Sequence, residues 1–353
     1  MSRKLRIGFI GMGGISSTQH VRVLRAIPGV ELVALAEIDQ RTADLRGEQA
    51  NIPLRFGDHR RMLRDADLDA VVVATPNHLH CPHTLDALKA GCHVLVEKPA
   101  GVNLAEVKRM IAASRRSRKI AMAGLCFRYR PQVQAARELV RAGVLGNIYH
   151  MRVKYLRRRG VPGLGNWWTT KACGGGALAD IGVHVADAVL FVAGLPMPTH
   201  AAAVSYRKFG HRNDYTCLGM WGPPVPGGPM DVEDYASGFI RFGNRMTMTV
   251  EISWAAEVRA GAGMEVLGDR GGVFISDDDG AQSLILYTQR GDKLVEETVA
   301  LPRSDRFATQ ALHFVECIRK GRKPVSDLTT TLPVQAVLDG MYRSAEAGCE
   351  VRI

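Results

Sequence analysis

The sequence predicts a two-domain α/β protein, in which a doubly wound parallel sheet is followed by an α+β domain of long antiparallel strands. Three observations predict it. At 353 residues the chain exceeds the roughly 100–200 residues of an ordinary domain, so two domains are expected. Its first third alternates short apolar runs with helical stretches, the pattern of βαβ units. After residue 125 that alternation gives way to strands of period two. The division is therefore placed at 1–125 and 126–353, with the final helices free to pack back on the first domain. A hydrophobic share of 46% and a charged share of 23% describe a chain that can bury a core and has no bias toward disorder.

Each element follows from local residue types. Nearly continuous Val, Ile, Leu and Ala at Leu5 to Ile10, Val30 to Ala36, Ala70 to Ala74, His93 to Val96 and Ile120 to Leu125 suit strands covered by helices on both faces. Pro28-Gly29 and Gly91 stop the helical stretches between them, and Asn103 with Glu106 reads as an N-cap and its reciprocal partner. Pro131 to Ala142 is a helix with proline in its first turn and Gly143 at its end. Met246, Met248, Val250, Ile252 and Trp254 then share one face while Thr247, Thr249, Glu251 and Ser253 share the other, as in a half-buried antiparallel strand. With Phe239 to Phe242 and the Gly243-Asn244 turn it makes a hairpin. Further strands are expected at Ile148 to Leu156, Met264 to Leu267, Val273 to Ile275, Leu284 to Thr288 and Leu294 to Ala300. Gly222 to Pro229 reads as an irregular loop, and helices near Arg306 to Arg319 and Val334 to Glu346 close the chain.

Forty-six Lys and Arg against 35 Asp and Glu give a net charge of +11, and the excess is local. Residues 1–125 hold 19 basic and 12 acidic side chains, residues 126–159 hold 9 and 1, and the remainder holds 18 and 22, so the three segments carry +7, +8 and −4. The middle block, from Arg128 to Arg159, reads either as solvated cations with aliphatic stems on the surface or as a face that binds an anionic ligand. No zinc-finger, RRM or helix-turn-helix pattern accompanies it, so no nucleic-acid partner is expected. Seven cysteines without a C-x-x-C pair fit unpaired thiols in a reducing compartment, which points to the cytoplasm. No export signal is read, and no run approaches the roughly 18–20 apolar residues of a spanning helix, so no membrane partner is expected.

Gly8-Phe9-Ile10-Gly11-Met12-Gly13-Gly14-Ile15-Ser16 lies where the first strand turns into the first helix. Gly11 permits the tight turn, Gly13 lets the backbone approach a pyrophosphate with Gly14 and Ile15 beside it, and the helix start offers N–H groups to the anion. Ser16 takes the third glycine position. Glycine turns are common, but here strand, turn and helix stand in the order of a dinucleotide site, which makes the first domain a Rossmann domain. The second strand ends in Ala36-Glu37-Ile38-Asp39. Glu37 there would accept hydrogen bonds from the adenosine ribose and repel a 2′-phosphate, so NAD is favoured over NADP. Arg41 would stack on adenine or pair with a phosphate. The plainer alternative for Glu37 is a solvated loop carboxylate.

Thr75-Pro76-Asn77-His78-Leu79-His80 and Glu97-Lys98-Pro99 follow the strands Ala70 to Ala74 and His93 to Val96, at the strand ends where open α/β sheets bind ligands. TPN-x-x-H, then EKP, then the Gly174-Gly175-Gly176 to Asp187 stretch (GGG-x-x-x-D-x-G-x-H-x-x-D), all behind a G-x-G-G turn, resemble the Gfo/Idh/MocA family of sugar and cyclitol oxidoreductases. The resemblance implies an N-terminal Rossmann domain and a C-terminal α+β domain with a large, mostly antiparallel open sheet, often a dimer face, so a homodimer or homotetramer is expected. It implies that Lys98 contacts the reacting hydroxyl and the nicotinamide ribose, that Asp180 is the substrate-side aspartate, and that His184 transfers the proton. It also implies cofactor contacts for Thr75, Pro76, Asn77, His80 and Glu97. On one helix, a spacing of four would put Asp180 and His184 on one face, letting the carboxylate orient the imidazole.

The sequence also departs from the family. Cys126 stands where an amide commonly meets the nicotinamide end, and Arg128 in the same run is expected among the substrate contacts. Trp167, Trp168 and Lys171 precede the glycine triplet, where family members line the sugar pocket, although core packing of one Trp is an equal alternative. His78, His80, Cys81 and His83 bring zinc-ligand residue types together, but Pro82 breaks their spacing, so no metal is assigned. The leading expectation is an NAD-dependent dehydrogenase of a sugar, glycoside or cyclitol. The alternatives are a redox-neutral enzyme with tightly bound NAD and a non-catalytic NAD-binding regulator.

Overall fold

The computed structural model describes residues 3–163, 165–210, 212, 222, 225, 227–243, 245–277 and 284–353. In chain order its strands are β1 (Leu5–Ile10), β2 (Val30–Ala36), β3 (Leu54–Phe56), β4 (Ala70–Val73), β5 (His93–Val96), β6 (Ala121–Ala123), β7 (Ile148–Leu156), β8 (Pro198–Tyr206), β9 (Tyr235–Phe242), β10 (Thr247–Ser253), β11 (Gly261–Gly268), β12 (Gly271–Ser276), β13 (Leu284–Arg290), β14 (Lys293–Thr298) and β15 (Val351–Arg352). Its helices are α1 (Val21–Arg25), α2 (Gln40–Gln49), α3 (His59–Asp65), α4 (Asn77–Lys89), α5 (Leu104–Ser117), α6 (Pro131–Arg141), α7 (Val183–Val192), α8 (Arg306–Lys320) and α9 (Leu332–Ala347). By contact the chain divides into Met1–Cys126 with Asp305–Thr331, and Phe127–Ser304 with Leu332–Ile353.

In the first unit the strands stand in the order β3-β2-β1-β4-β5-β6, and every neighbouring pair is parallel. Every residue of β4 and β6 is buried, as a sheet covered on both faces requires. The order reverses between β1 and β4. The turns after these two strands, Gly11–Ile15 and Thr75–Asn77, therefore leave the sheet at its switch point. β3 was not expected: Leu54-Arg55-Phe56 is an edge strand whose residues all keep surface, so it has no buried apolar run to mark it. Asn103 caps α5 by accepting from Glu106 N at 2.9 Å, and Glu106 Oε2 reaches back to Val102 N at 3.0 Å. Asp305 caps α8, and the segment after α8 closes the β6 edge, with Ala123 N donating to Ser326 O at 2.8 Å.

The second unit is built on a sheet of order β14-β13-β12-β11-β7-β10-β9-β8-β15. Its pairs are antiparallel except β7 with β10, which run parallel. Met248, Val250 and Ile252 are buried while Thr247, Thr249 and Glu251 keep surface, the period of two read from the sequence. Gly243 sits in the β9–β10 turn; Asn244, Cys217 and, within the expected loop Gly222 to Pro229, Pro223, Pro224 and Pro226 lie outside the described residues. β8 was not expected, because His200-Ala201-Ala202-Ala203 lacks the β-branched and aromatic residues that mark a strand.

From Val185 to Val192 α7 is wholly buried. The stretch Lys171–Val192 is long and apolar enough, by length and composition, to cross a bilayer, which corrects the expectation that no run approaches that limit; 83% of its most apolar 18-residue window is buried inside the protein. A core helix surrounded by other elements reaches the same apolarity as one surrounded by lipid.

Candidate active site

In the first unit the turn after β1 is shaped for a dinucleotide. Gly11 has φ +89°, and a Cβ there would sit 2.7 Å from the Ala74 carbonyl oxygen and 2.8 Å from Thr75 Cγ2, so glycine is required. Nothing lies within 4 Å of where a Cβ would stand on Gly13 or Gly14, and both are exposed. The cradle is open on the side where a pyrophosphate would lie. Ser16 is fully buried, and its Oγ donates to Gly11 O at 2.9 Å; this bond accounts for a hydroxyl in the third glycine position. Glu37 Oε2 accepts from Met12 N at 2.9 Å, so the carboxylate at the end of β2 stands against the glycine turn. Ile15 is half-buried, and Arg41 is exposed on the first turn of α2.

Two buried side chains tie the next two turns together. His80 Nδ1 lies 2.8 Å from the Pro99 carbonyl oxygen and its Nε2 2.8 Å from that of Thr75; burial dominates and draws its pKa down. Glu97 has Oε1 2.7 Å from His20 Nε2, while Oε2 accepts from Lys98 N at 3.1 Å. Burial pushes the Glu97 carboxyl up, but the His20 hydrogen bond and the His20 and Lys98 charges outweigh it and hold the group below its ordinary value. Lys98 follows β5, half-exposed. Thr75 and Pro76 lead into α4, which Asn77 opens, and Cys126 is buried at the start of the short turn Cys126–Tyr129. Cys81 Sγ faces the Glu106 carbonyl at 3.8 Å and His83 Nδ1 the Thr75 hydroxyl at 3.1 Å, so these side chains, like His80, are held by partners within the protein.

In the second unit Asp180 and His184 stand out by exposure. From Gly176 to Val192 every other residue is buried, while these two are half-exposed. Asp180 lies on a wide π-type turn, Leu178–Gly182, that runs into α7, and His184 lies in the first turn of α7. Asp180 Oδ2 accepts from the buried Trp254 Nε1 at 2.9 Å, and His184 stacks on Phe127 with ring centroids 4.7 Å apart. The geometry thus opens a carboxylate and an imidazole onto a surface of the unit and holds each from behind.

Other expected site residues are placed differently. Arg128, expected at the substrate, has no exposed surface; its Nε and Nη2 donate to Asp187 at 2.8 and 2.6 Å, so the structure makes it a core strut. Trp168 Nε1 donates to Pro162 O at 2.9 Å, and its ring packs where side chains on Gly163 and Gly222 would stand. The Trp167 side chain lies outside what is described, and Lys171 is exposed. In the glycine triplet a Cβ on Gly175 would meet the Tyr342 hydroxyl, and one on Gly176 the Glu233 carbonyl.

Sequence reasoning missed the segment Asp231-Val232-Glu233-Asp234. Asp231 Oδ1 accepts from Lys171 N at 2.6 Å, Glu233 takes the N–H groups at the start of the Asp180 turn, and Asp234 accepts from the backbone of Lys208, Phe209 and Gly210 at 2.6–3.1 Å. Three acids within four residues, just ahead of a strand, were the available signal.

An open glycine cradle at a parallel-sheet switch point, with a carboxylate on the second strand, defines an NAD-binding protein of the Rossmann type. Residues 5–125 match the oxidoreductase family with an NAD-binding Rossmann fold, and residues 133–274 the GFO/IDH/MocA C-terminal domain. The chain belongs to the Gfo/Idh/MocA family. D-glucoside 3-dehydrogenase of Escherichia coli is 29% identical over 360 residues, covering 100% of this chain and 98% of the relative. Levoglucosan dehydrogenase of Pseudarthrobacter phenanthrenivorans is 30% identical over 274 residues, covering 73% and 69%. The crystal structure of aldose-aldose oxidoreductase from Caulobacter crescentus, complexed with glycerol, has a TM-score of 0.81 at 26% identity, covering 99% of this chain and 100% of that one.

Proposed function

We propose that the protein is an NAD-dependent dehydrogenase that oxidises a secondary alcohol of a sugar, glycoside or cyclitol, with Lys98 and His184 handling the hydroxyl proton. The observation that carries this reading is the half-exposed Asp180–His184 pair in an otherwise buried helical stretch. Gly11, Gly13, Gly14 and Ile15 would hold the pyrophosphate and Glu37 the adenosine ribose. Ile38 beside Glu37, 92% exposed, offers an apolar face to adenine, with Arg41 near. Thr75, Pro76, Asn77, Glu97 and Cys126 would face the rest of the cofactor, with His80 behind them.

When bound, nicotinamide supplies the hydride acceptor. The chain's own residues manage the rest: His184 takes the hydroxyl proton at Nε2 as the carbinol C–H bond breaks, Asp180 orients and stabilises the imidazolium, and Lys98 places positive charge where alkoxide character develops. Trp168 and Lys171 are assigned to the sugar side. The names of the glucoside and levoglucosan relatives support a carbohydrate substrate. We place the enzyme in the cytoplasm as a homo-oligomer, which light scattering on the purified protein checks.

The test is a panel of inositols, free hexoses, glycosides and sugar acids, read by NADH absorbance. Turnover of at least one substrate is expected, falling about 10²–10⁴-fold in Lys98→Ala and His184→Ala. Wild-type rates in both variants would sink the assignment. The likeness to an aldose-aldose oxidoreductase favours a second reading, in which NAD stays bound and is reduced and reoxidised within one cycle. Stoichiometric NAD after purification, with turnover that needs none added, would select it.

A further inference from the structure

We propose that the buried Glu233 and the half-buried Tyr342 form a positioning device that sets the start of the Asp180–His184 turn, so that both side chains sit at reacting geometry. The proposal rests on the catalytic assignment of Asp180 and His184. Glu233 Oε2 accepts from Gly176 N at 3.0 Å and its Oε1 from Leu178 N at 2.9 Å, while its carbonyl oxygen accepts from Ala177 N at 3.1 Å. One residue therefore takes three successive N–H groups at a helix start, which has no side-chain cap of its own at Ala177. Such groups otherwise need a local cap or water. Tyr342, on α9, donates its hydroxyl to Glu233 Oε1 at 2.9 Å and so fixes the carboxylate from the far side.

The glycine triplet is explained by the same arrangement. Gly175 and Gly176 lack a Cβ because the Tyr342 hydroxyl and the Glu233 carbonyl fill that space. The control extends to the Asp180 side chain. The residue after Glu233 accepts through its backbone, Asp234 O from Trp254 N at 2.8 Å, and Trp254 is the indole that donates to Asp180. Glu233 and its neighbour thus fix both the backbone on which Asp180 rides and the group that aims its carboxylate. Glu233 is buried and acts on the turn through its hydrogen bonds to Gly176 N and Leu178 N. A displacement of the turn by about 1 Å is enough to cost a rate near 10²-fold.

Glu233→Gln keeps the shape but replaces one acceptor oxygen by an NH2 that cannot accept, so one donor loses its partner. Tyr342→Phe removes one donor and leaves the Glu233 side chain itself unchanged. With the sugar identified by the panel, the hydride-transfer rate is measured in single turnover per NADH-binding site. Glu233→Gln should be slowed about 100-fold and Tyr342→Phe about fivefold, with KM for NAD unchanged. A merely structural role would reduce the number of binding sites and leave the rate per site alone. If Glu233→Gln fails to fold, Tyr342→Phe decides alone. Rates per site within twofold of wild type overturn the proposal. His184→Ala is run alongside: if it is inactive while the other variants are unimpaired, positioning alone falls; if it keeps the wild-type rate, the catalytic assignment falls and takes the proposal with it.

Discussion

Replacing Arg128 by Met should destabilise the second unit by about 3–5 kcal/mol, because it leaves the Asp187 carboxylate alone in the core. Both residues are 0% exposed, and two hydrogen bonds of 2.8 and 2.6 Å join them. Burial pushes the Asp187 carboxyl above its ordinary value even against the guanidinium, so without Arg128 the rise becomes larger. An acid whose folded pKa is raised loses stability as pH climbs past its unfolded value, so the Arg128→Met deficit should be greater at pH 7 than near pH 4. For a unit of this size each kcal/mol moves Tm by about 2–4 °C, so a fall of about 6–20 °C is expected. Arg128→Met with Asp187→Leu removes the pair altogether and should recover most of the loss, since apolar replacement of a buried ion pair is often neutral. Thermal melts followed by circular dichroism, with sugar KM measured in parallel, decide the matter. An unchanged Tm with a raised sugar KM in Arg128→Met would return Arg128 to the substrate and refute the strut.

Three more outcomes are expected. Gly11→Ala forces a left-handed φ on a side chain with no room, so calorimetry should show NADH affinity weakened about 10–100-fold; wild-type affinity would mean that the turn is not the pyrophosphate cradle. His20→Leu removes the partner that holds the Glu97 carboxyl below its ordinary value. The stability this pair adds is present above the unfolded carboxylate pKa and vanishes as pH falls through the depressed folded one, so the Tm loss should be larger at pH 7 than at pH 4; equal losses at both would contradict it. Glu37→Ala should bring NADP use toward that of NAD, read as the ratio of kcat/KM values, whereas a wild type that already uses NADP as well as NAD would remove the role of Glu37.

What the sequence revealed about fold and site has a physical pattern. β1, β2, β4 and β5 are legible because burial on both faces writes continuous apolar runs, and β10 because burial on one face writes a period of two. β3 and β8 are not, because exposed edge residues in one and a row of alanines in the other leave no such imprint. The spacing of four between Asp180 and His184 was visible, yet the wide turn under Asp180 was not, since it depends on Glu233 and Tyr342 from distant parts of the chain. Trp254 is buried as the alternation predicts, although it lies one residue past β10, and periodicity carries no information about where its indole N–H points.

The basic block shows most clearly how sequence position and spatial position part company. Residues 126–159 carry nine basic side chains and one acid, which suggested either solvated cations or an anion-binding face. In the folded unit Arg128 meets Asp187, Arg130 meets Asp277 at 2.6 Å, Arg152 meets Glu265 at 2.5 Å, and Arg158 and Arg159 share Glu257. Arg137 instead lies over the Phe191 ring, 3.6 Å from its centroid. Each of those acids comes from the segment beyond residue 159, whose balance is −4, so the two imbalances in sequence are complements in space. A charge surplus that strand pairing and helix packing bring against its own counter-charge has little field left to steer a ligand. The larger remaining excess, +7, lies in residues 1–125, the segment that carries the glycine cradle, where a diphosphate is the anion to be met.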